Sequence, residues 1–244
     1  MTALARRVAA GLAGVAVGAV LVAELPTVAV ASEGRAEAAP KERRAGSKAR
    51  SCKPQRAKRF LERTSFVKGG ALDAEAHGQA LRWRVERYGH VPGAPYEDLN
   101  ERSAASFAKP VRFLGLPIVV HEKMAPALAC VETRIRATCK GKGKAYVPKA
   151  IGGLRAANTY RGGEVSNHLF GLAIDIDPPR NPCCGCVAPW RDHALCKKPR
   201  TKSVWDRTAL TPCWVAAFER HGFHWLAKDP LEDTMHFEYL GEPR

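Results

Sequence analysis

The 244-residue sequence has no internal repeat and no nucleotide-binding glycine pattern, so neither a repeat architecture nor a phosphate-cradling glycine loop is indicated. It also lacks a membrane-length apolar run at the one place where a run begins, because Val8 to Ala23 is short for a span. Acidic residues are scarce beside basic ones, 24 against 39, which leaves a formal charge of +15. That charge favours anionic partners, whether nucleic acid, anionic lipid or an acidic cell-wall polymer, and does not choose among them. Between Ser32 and Arg59 large apolar residues are almost absent and no aromatic is interleaved. Such a tract cannot offset the entropy of ordering, and it offers no stacking platform for nucleic acid.

What is present divides the chain in three. Arg6 and Arg7 precede the apolar run, and Ala29-Val30-Ala31 supplies a small-x-small cleavage site. This is signal-peptide anatomy over residues 1–31, which places the mature protein outside the cytoplasm, secreted or periplasmic, with no stable membrane span after cleavage. Residues 32–59 read as a basic disordered linker that holds the domain off the membrane or against an anionic envelope surface. The remaining 60–244 carry the packed domain, for which 45% apolar content is sufficient. Export removes nucleic acid as the usual partner, and a monomer is expected.

Eight cysteines, an even number, suit an oxidising compartment: Cys52, Cys130, Cys139, Cys183, Cys184, Cys186, Cys196 and Cys213. The cluster "NPCCGCVAPWRDHALC" has adjacent cysteines and no second Cys-x-x-Cys pair, so it reads as a disulfide-stapled loop ahead of a structural zinc knuckle. The local pair expected is Cys130 with Cys139. "LDAEAHGQALRWRVERYG", "HEKMAPALACVETRIRATC" and "PCWVAAFERHG" read as helices, the second with Pro126 early and the third closed by Gly222. "VRFLGLPIVVH", "GLAIDID" and "MHFEYL" read as strands. The fold class is α+β: a small antiparallel sheet flanked by helices, with a stapled loop.

In "SNHLFGLAIDID" the alternation puts Leu172, Ile174 and Ile176 on one face and Ala173, Asp175 and Asp177 on the other. Gly171 permits a sharp bend that folds His168 back towards Asp175, and Ala173 leaves room beside it. A His nitrogen and an Asp oxygen are good zinc ligands. His236, in "EDTMHFEYL", would complete two His and one Asp with a coordination position left open, the layout of a catalytic site. Such a site needs a carboxylate to accept a water proton, and spacing leaves Asp233, Glu238 and Glu232 all open. Asp177 either lies behind a ligand or ends the strand. Ser166 caps or orients the loop carrying His168, since no triad base accompanies it. His121, His193, His221 and His224 read as structural or exposed, and Trp225 as a core aromatic beneath the site.

Together "SNHLFGLAIDID" and "EDTMHFE" resemble the two halves of the M15 zinc peptidase pattern, Ser-x-His-x-x-Gly-x-Ala-x-Asp followed by Asp or Glu, two residues and His. This is the family of D-alanyl-D-alanine carboxypeptidases and L-alanyl-D-glutamate endopeptidases, and the resemblance covers roughly residues 120 to 240. It implies Zn2+ held by His168, Asp175 and His236, a catalytic base at Asp233, and Ser166 within the substrate-binding motif. It also implies an arginine that touches substrate and oxyanion, either Arg155 or Arg161. The function implied is an exported zinc metallopeptidase acting on peptidoglycan stem peptides. The alternative is a non-catalytic cell-wall binding module that keeps the fold.

Overall fold

In the computed structural model of the protein, residues 52–158, 163–186, 190–197 and 203–244 are described, all within one compact unit, Ser47–Arg244. The expected signal peptide and the linker as far as residue 51 lie outside them. The end of the expected linker does not. Cys52 is bonded to Cys130, the Gln55 N–H donates to Arg220 O at 3.0 Å, and the Lys58 N–H donates to Leu240 O at 2.9 Å. The ordered domain therefore begins by Cys52, ahead of residue 60. Composition missed this because most of the anchors are a covalent bond, hydrogen bonds of Gln55 and Lys58 and the Lys58–Glu242 ion pair, which apolar content does not register.

The fold is α+β. A two-residue hairpin, β1 (Val67–Lys68) with β2 (Ala71–Leu72), leads into α1 (Ala74–Tyr88). Asp73 caps α1, its carboxylate accepting from the Ala76 N–H at 3.0 Å. The buried stripe of α1 runs His77, Leu81, Arg84, Val85 and Tyr88, helical spacing with an arginine in the middle. β3 (Ala108–Phe113) and β4 (Leu116–His121) form an antiparallel hairpin. Its two loop residues, Leu114 and Gly115, both have positive φ, the geometry that suits a tight hairpin. α2 (Ala125–Thr138) starts with Pro126 in its first turn.

The central sheet joins β5 (Ile151–Gly152), β6 (Ala173–Ile176), β7 (Phe223–Trp225) and β8 (His236–Tyr239) in the order β5-β6-β8-β7, with every neighbouring pair antiparallel. α3 (Pro212–Glu219), capped by Thr211, precedes β7. Its Phe218 stacks on Phe237 of β8 at 4.2 Å between ring centroids, so one sheet face is sealed by α3. The alternation in β6 predicts one core face and one open face, yet all four of its residues are buried. No helix among the described residues is long and apolar enough to cross a membrane.

All eight cysteines are paired: Cys52–Cys130, Cys139–Cys213, Cys183–Cys186 and Cys184–Cys196. The expected Cys130–Cys139 bridge is corrected. Both residues belong to α2 and its C-cap, where nine positions of helix rise separate them by about 13 Å, beyond disulfide reach. Each instead reaches across the domain. The stapled loop is as expected, and with its thiols paired it has no thiolate to offer a structural zinc ion.

Candidate metal centre

Register brings the site together. β6 and β8 pair with Asp175 directly opposite His236 and Ala173 opposite Glu238, so these four residues share one sheet face. Ile174 and Phe237 pair on the other face and face the core.

His168 arrives from a turn of 3₁₀ helix, Asn167–Phe170, capped by Ser166, whose hydroxyl accepts from the His168 N–H at 3.3 Å. Ser166 is 1% exposed, which assigns it to holding this loop and not to a substrate-facing wall. Gly171 ends the turn at φ 66°, and a Cβ there would lie 2.8 Å from the His121 backbone nitrogen. Both the left-handed backbone and the close approach to β4 require glycine.

His168 Nε2 lies 3.2 Å from His236 Nδ1 and 3.3 Å from Asp175 Oδ2, while His236 Nδ1 lies 2.8 Å from Asp175 Oδ1. The three donor atoms all fall within 4.8 Å of one another, a group that could hold a metal ion. The chemistry of the set fits a cation. Burial first, then the nearness of His236 and Arg155, pushes His168 down to about 2, so the imidazole is neutral. Its Nδ1 lies 2.6 Å from Gly153 O; donating there leaves the Nε2 lone pair for a ligand. On the other histidine, Nε2 sits 3.2 Å from Glu238 Oε1, which frees Nδ1. Burial would raise Glu238, but the hydrogen bond and charge of His236, with Arg84 and Asn167, hold it at about 2. Glu238 is thus the orienting partner of His236, which resolves one of the three open carboxylates.

The second open carboxylate, Glu232, is engaged by the buried guanidinium of Arg207. The third, Asp233, has an Oδ1 that is buried with no hydrogen-bond partner among the described residues. Burial pushes Asp233 up to about 6, against the lowering pull of His236, the Met235 N–H and Arg155. A carboxylate with a free oxygen and affinity for a proton near neutrality is suited to proton transfer. Its loop is pinned by the cysteine turn: the Cys184 N–H donates to Glu232 O, the Gly185 N–H to Leu231 O at 2.6 Å, and the Thr234 N–H to Pro182 O.

Arg155 reaches the centre, its Nη2 pairing with Asp175 Oδ2. Gly153 makes this approach feasible, since a Cβ there would meet Val119 O at 2.2 Å. Arg161, the other expected arginine, lies outside the described residues. Asp177, left open between two roles, ends the strand. It has φ 43° and accepts from the Lys149 and Ala150 N–H groups and the Tyr146 hydroxyl. Trp225 is buried beneath the Asp233 loop, its Nε1 donating to Thr234 O at 2.9 Å. His121 is buried and bonded to Tyr88 O, and His193 and His224 likewise stand apart from the ligand group. The sequence reading missed Gly153, Asn167 and Arg84. Only Arg84 left a signal, a charge within an apolar helical stripe.

Compared with known protein families, residues 160–239 match the family model described as D-alanyl-D-alanine carboxypeptidase. That segment contains His168, Asp175, Asp233, His236 and Glu238. Over that segment the chain is similar to the M15 peptidases. Neither the curated proteins nor the solved structures gave a match. The M15 match leaves Arg155, Gly153, α1 and the β3–β4 hairpin outside its limits, although the first two touch the site.

Proposed function

We propose that the protein is an exported zinc metallopeptidase that hydrolyses peptide bonds in the stem peptides of peptidoglycan. The observation carrying this reading is the convergence of His168, Asp175 and His236 on one point, with Asp233, one of whose carboxylate oxygens has no hydrogen-bond partner among the described residues, three positions before His236. The M15 match supports peptidase chemistry, and four disulfides fit an oxidising compartment. Zn2+ held by the two imidazoles and the Asp175 carboxylate would supply Lewis acidity at the scissile carbonyl. Asp233 takes the proton of the attacking water and delivers it to the leaving amine. Arg155 neutralises charge developing on the carbonyl oxygen or holds a substrate carboxylate, and Arg161 is the second candidate for that task. Gly153 O and Glu238 keep the imidazoles oriented, while the basic surface favours residence in an anionic envelope.

The test is to incubate zinc-loaded protein with purified muropeptides and analyse products by mass. Release of a single D-alanine identifies a carboxypeptidase, and a cut between L-Ala and D-Glu an endopeptidase. Metal analysis should find about one zinc per chain, lost in His168→Ala and His236→Ala. Intact muropeptides after prolonged incubation, with retention on cell-wall material, would replace this reading with that of a binding module.

A further inference from the structure

Arg63 stands far from the ligands in sequence and outside the M15 match, in a 3₁₀ turn of the N-terminal segment, Arg63–Ser65. Its guanidinium grips two different loops. Nε and Nη2 donate to the two oxygens of Glu164 at 2.8 and 2.9 Å, and Nη1 donates to Asp229 Oδ1 at 2.8 Å. The side chains of Arg63, Glu164 and Asp229 are 13%, 11% and 1% exposed, so this is a shielded cluster and not a surface pair.

The placement of the two acceptors matters. Glu164 lies four residues before His168, and Asp229 four residues before Asp233. Glu164 begins the stem that ends in the Ser166 cap. That stem is held further by Asn158, which donates to Glu164 O at 2.7 Å and accepts from the Ser166 N–H. Asp229 Oδ1 also accepts from the Leu231 N–H at 2.9 Å, shaping the turn that delivers Asp233. The two loops meet at the sheet through β6 and β8. This guanidinium joins them a second time.

We propose that Arg63 is a positioning residue for the hydrolytic reaction: one rigid fork sets the separation between the loop carrying the ligand His168 and the loop carrying the base Asp233. The inference rests on the peptidase reading above. A bidentate guanidinium fixes both distance and plane, which a lysine cannot do. Misplacement by about 1 Å between base and reacting centre is enough to cost about 100-fold in rate.

The test compares wild type, Arg63→Lys and the triple variant Arg63→Met/Glu164→Gln/Asp229→Asn. The triple variant removes all three charges together, so no buried ion is stranded and the fold is retained. Two readouts are taken: kcat and KM on muropeptides, and zinc affinity by competition with a chromophoric chelator. Both variants should show kcat lowered about 10- to 100-fold with KM within about twofold, and zinc affinity weakened about tenfold. Near-wild-type kcat and zinc affinity in both variants would overturn the clamp. If wild type itself releases no product, the peptidase reading fails, and the zinc competition alone then decides whether Arg63 sets the geometry of the ligand group. Absence of zinc binding by wild type removes the site and the clamp together.

Discussion

Glu238 is buried and Asp233 half-buried, with one carboxylate oxygen out of reach of solvent, and their surroundings push the two carboxylates in opposite directions. Glu238 spends its charge on His236 Nε2 and is held low, at about 2. Asp233 keeps one oxygen unpartnered and is pushed up to about 6. The expected outcome is that Asp233→Asn binds zinc and folds like wild type while turnover falls about 100-fold or more. Glu238→Gln should lower turnover less and weaken zinc by about tenfold, since it loosens the orientation of a ligand. Steady-state kinetics beside metal analysis of the two variants checks this; an active Asp233→Asn with a dead Glu238→Gln would exchange their roles. At this scale the motif spacing made His168, Asp175 and His236 legible. The choice among Asp233, Glu238 and Glu232 was not, because it depends on which face β8 presents and on an arginine, Arg207, far along the chain.

Among the elements, β4 illustrates what sequence conveys and what it leaves out. Its apolar run ends at His121, which reads from sequence as structural or exposed and is buried. The reading could not show that His121 would be sealed between Tyr88 O and the Lys123 N–H, with Gly171 packed against its backbone. Burial, opposed by the bond to Tyr88 O, pushes His121 down to about 4 from 6.5, and burial likewise lowers His77 and His221. A histidine whose pKa is lower folded than unfolded leaves the unfolded chain binding more protons between those values. Stability is therefore fully present above about pH 6.5 and drains as pH falls towards 4, by up to about 3 kcal/mol for His121 alone. Urea unfolding at pH 7.5 and 4.5 should show the loss, and His121→Gln should flatten part of it. An unchanged midpoint across that range would contradict the assignment. The two-sided burial of β6 was invisible for a similar reason: alternation reports one face, and the covering of the other comes from residues remote in sequence, among them Arg155 and His236 against Asp175.

For the molecule as a whole, the α+β class, the three helices and the stapled loop followed from periodicity and cysteine count. The pairing of the cysteines did not, since connectivity depends on which surfaces meet. The long-range bridges Cys52–Cys130 and Cys139–Cys213 close 78 and 74 residues of chain. On the chain-entropy account each contributes about 4 kcal/mol, a large part of the 5–15 kcal/mol typical of a domain. Mass analysis of unreduced protein should find no free thiol, and reduction should lower the melting temperature by many degrees; alkylatable thiols in freshly purified protein would oppose this.

The bridge from Cys139 to Cys213 has a further consequence where the chain is most open to attack. Immediately after Cys139 the chain runs through Lys140, Gly141, Lys142, Gly143 and Lys144, all exposed, a stretch inviting to a trypsin-like protease. A cut there severs the backbone between α2 and the strands of the central sheet. It frees neither piece, because Cys139 stays on the N-terminal fragment and Cys213 on the other. The Arg63 fork spans the same divide without a covalent bond. A nicked molecule would keep the His168 and Asp233 loops in place and migrate as one species until its disulfides are reduced. The protein thus carries tolerance to a backbone cut at this exposed stretch.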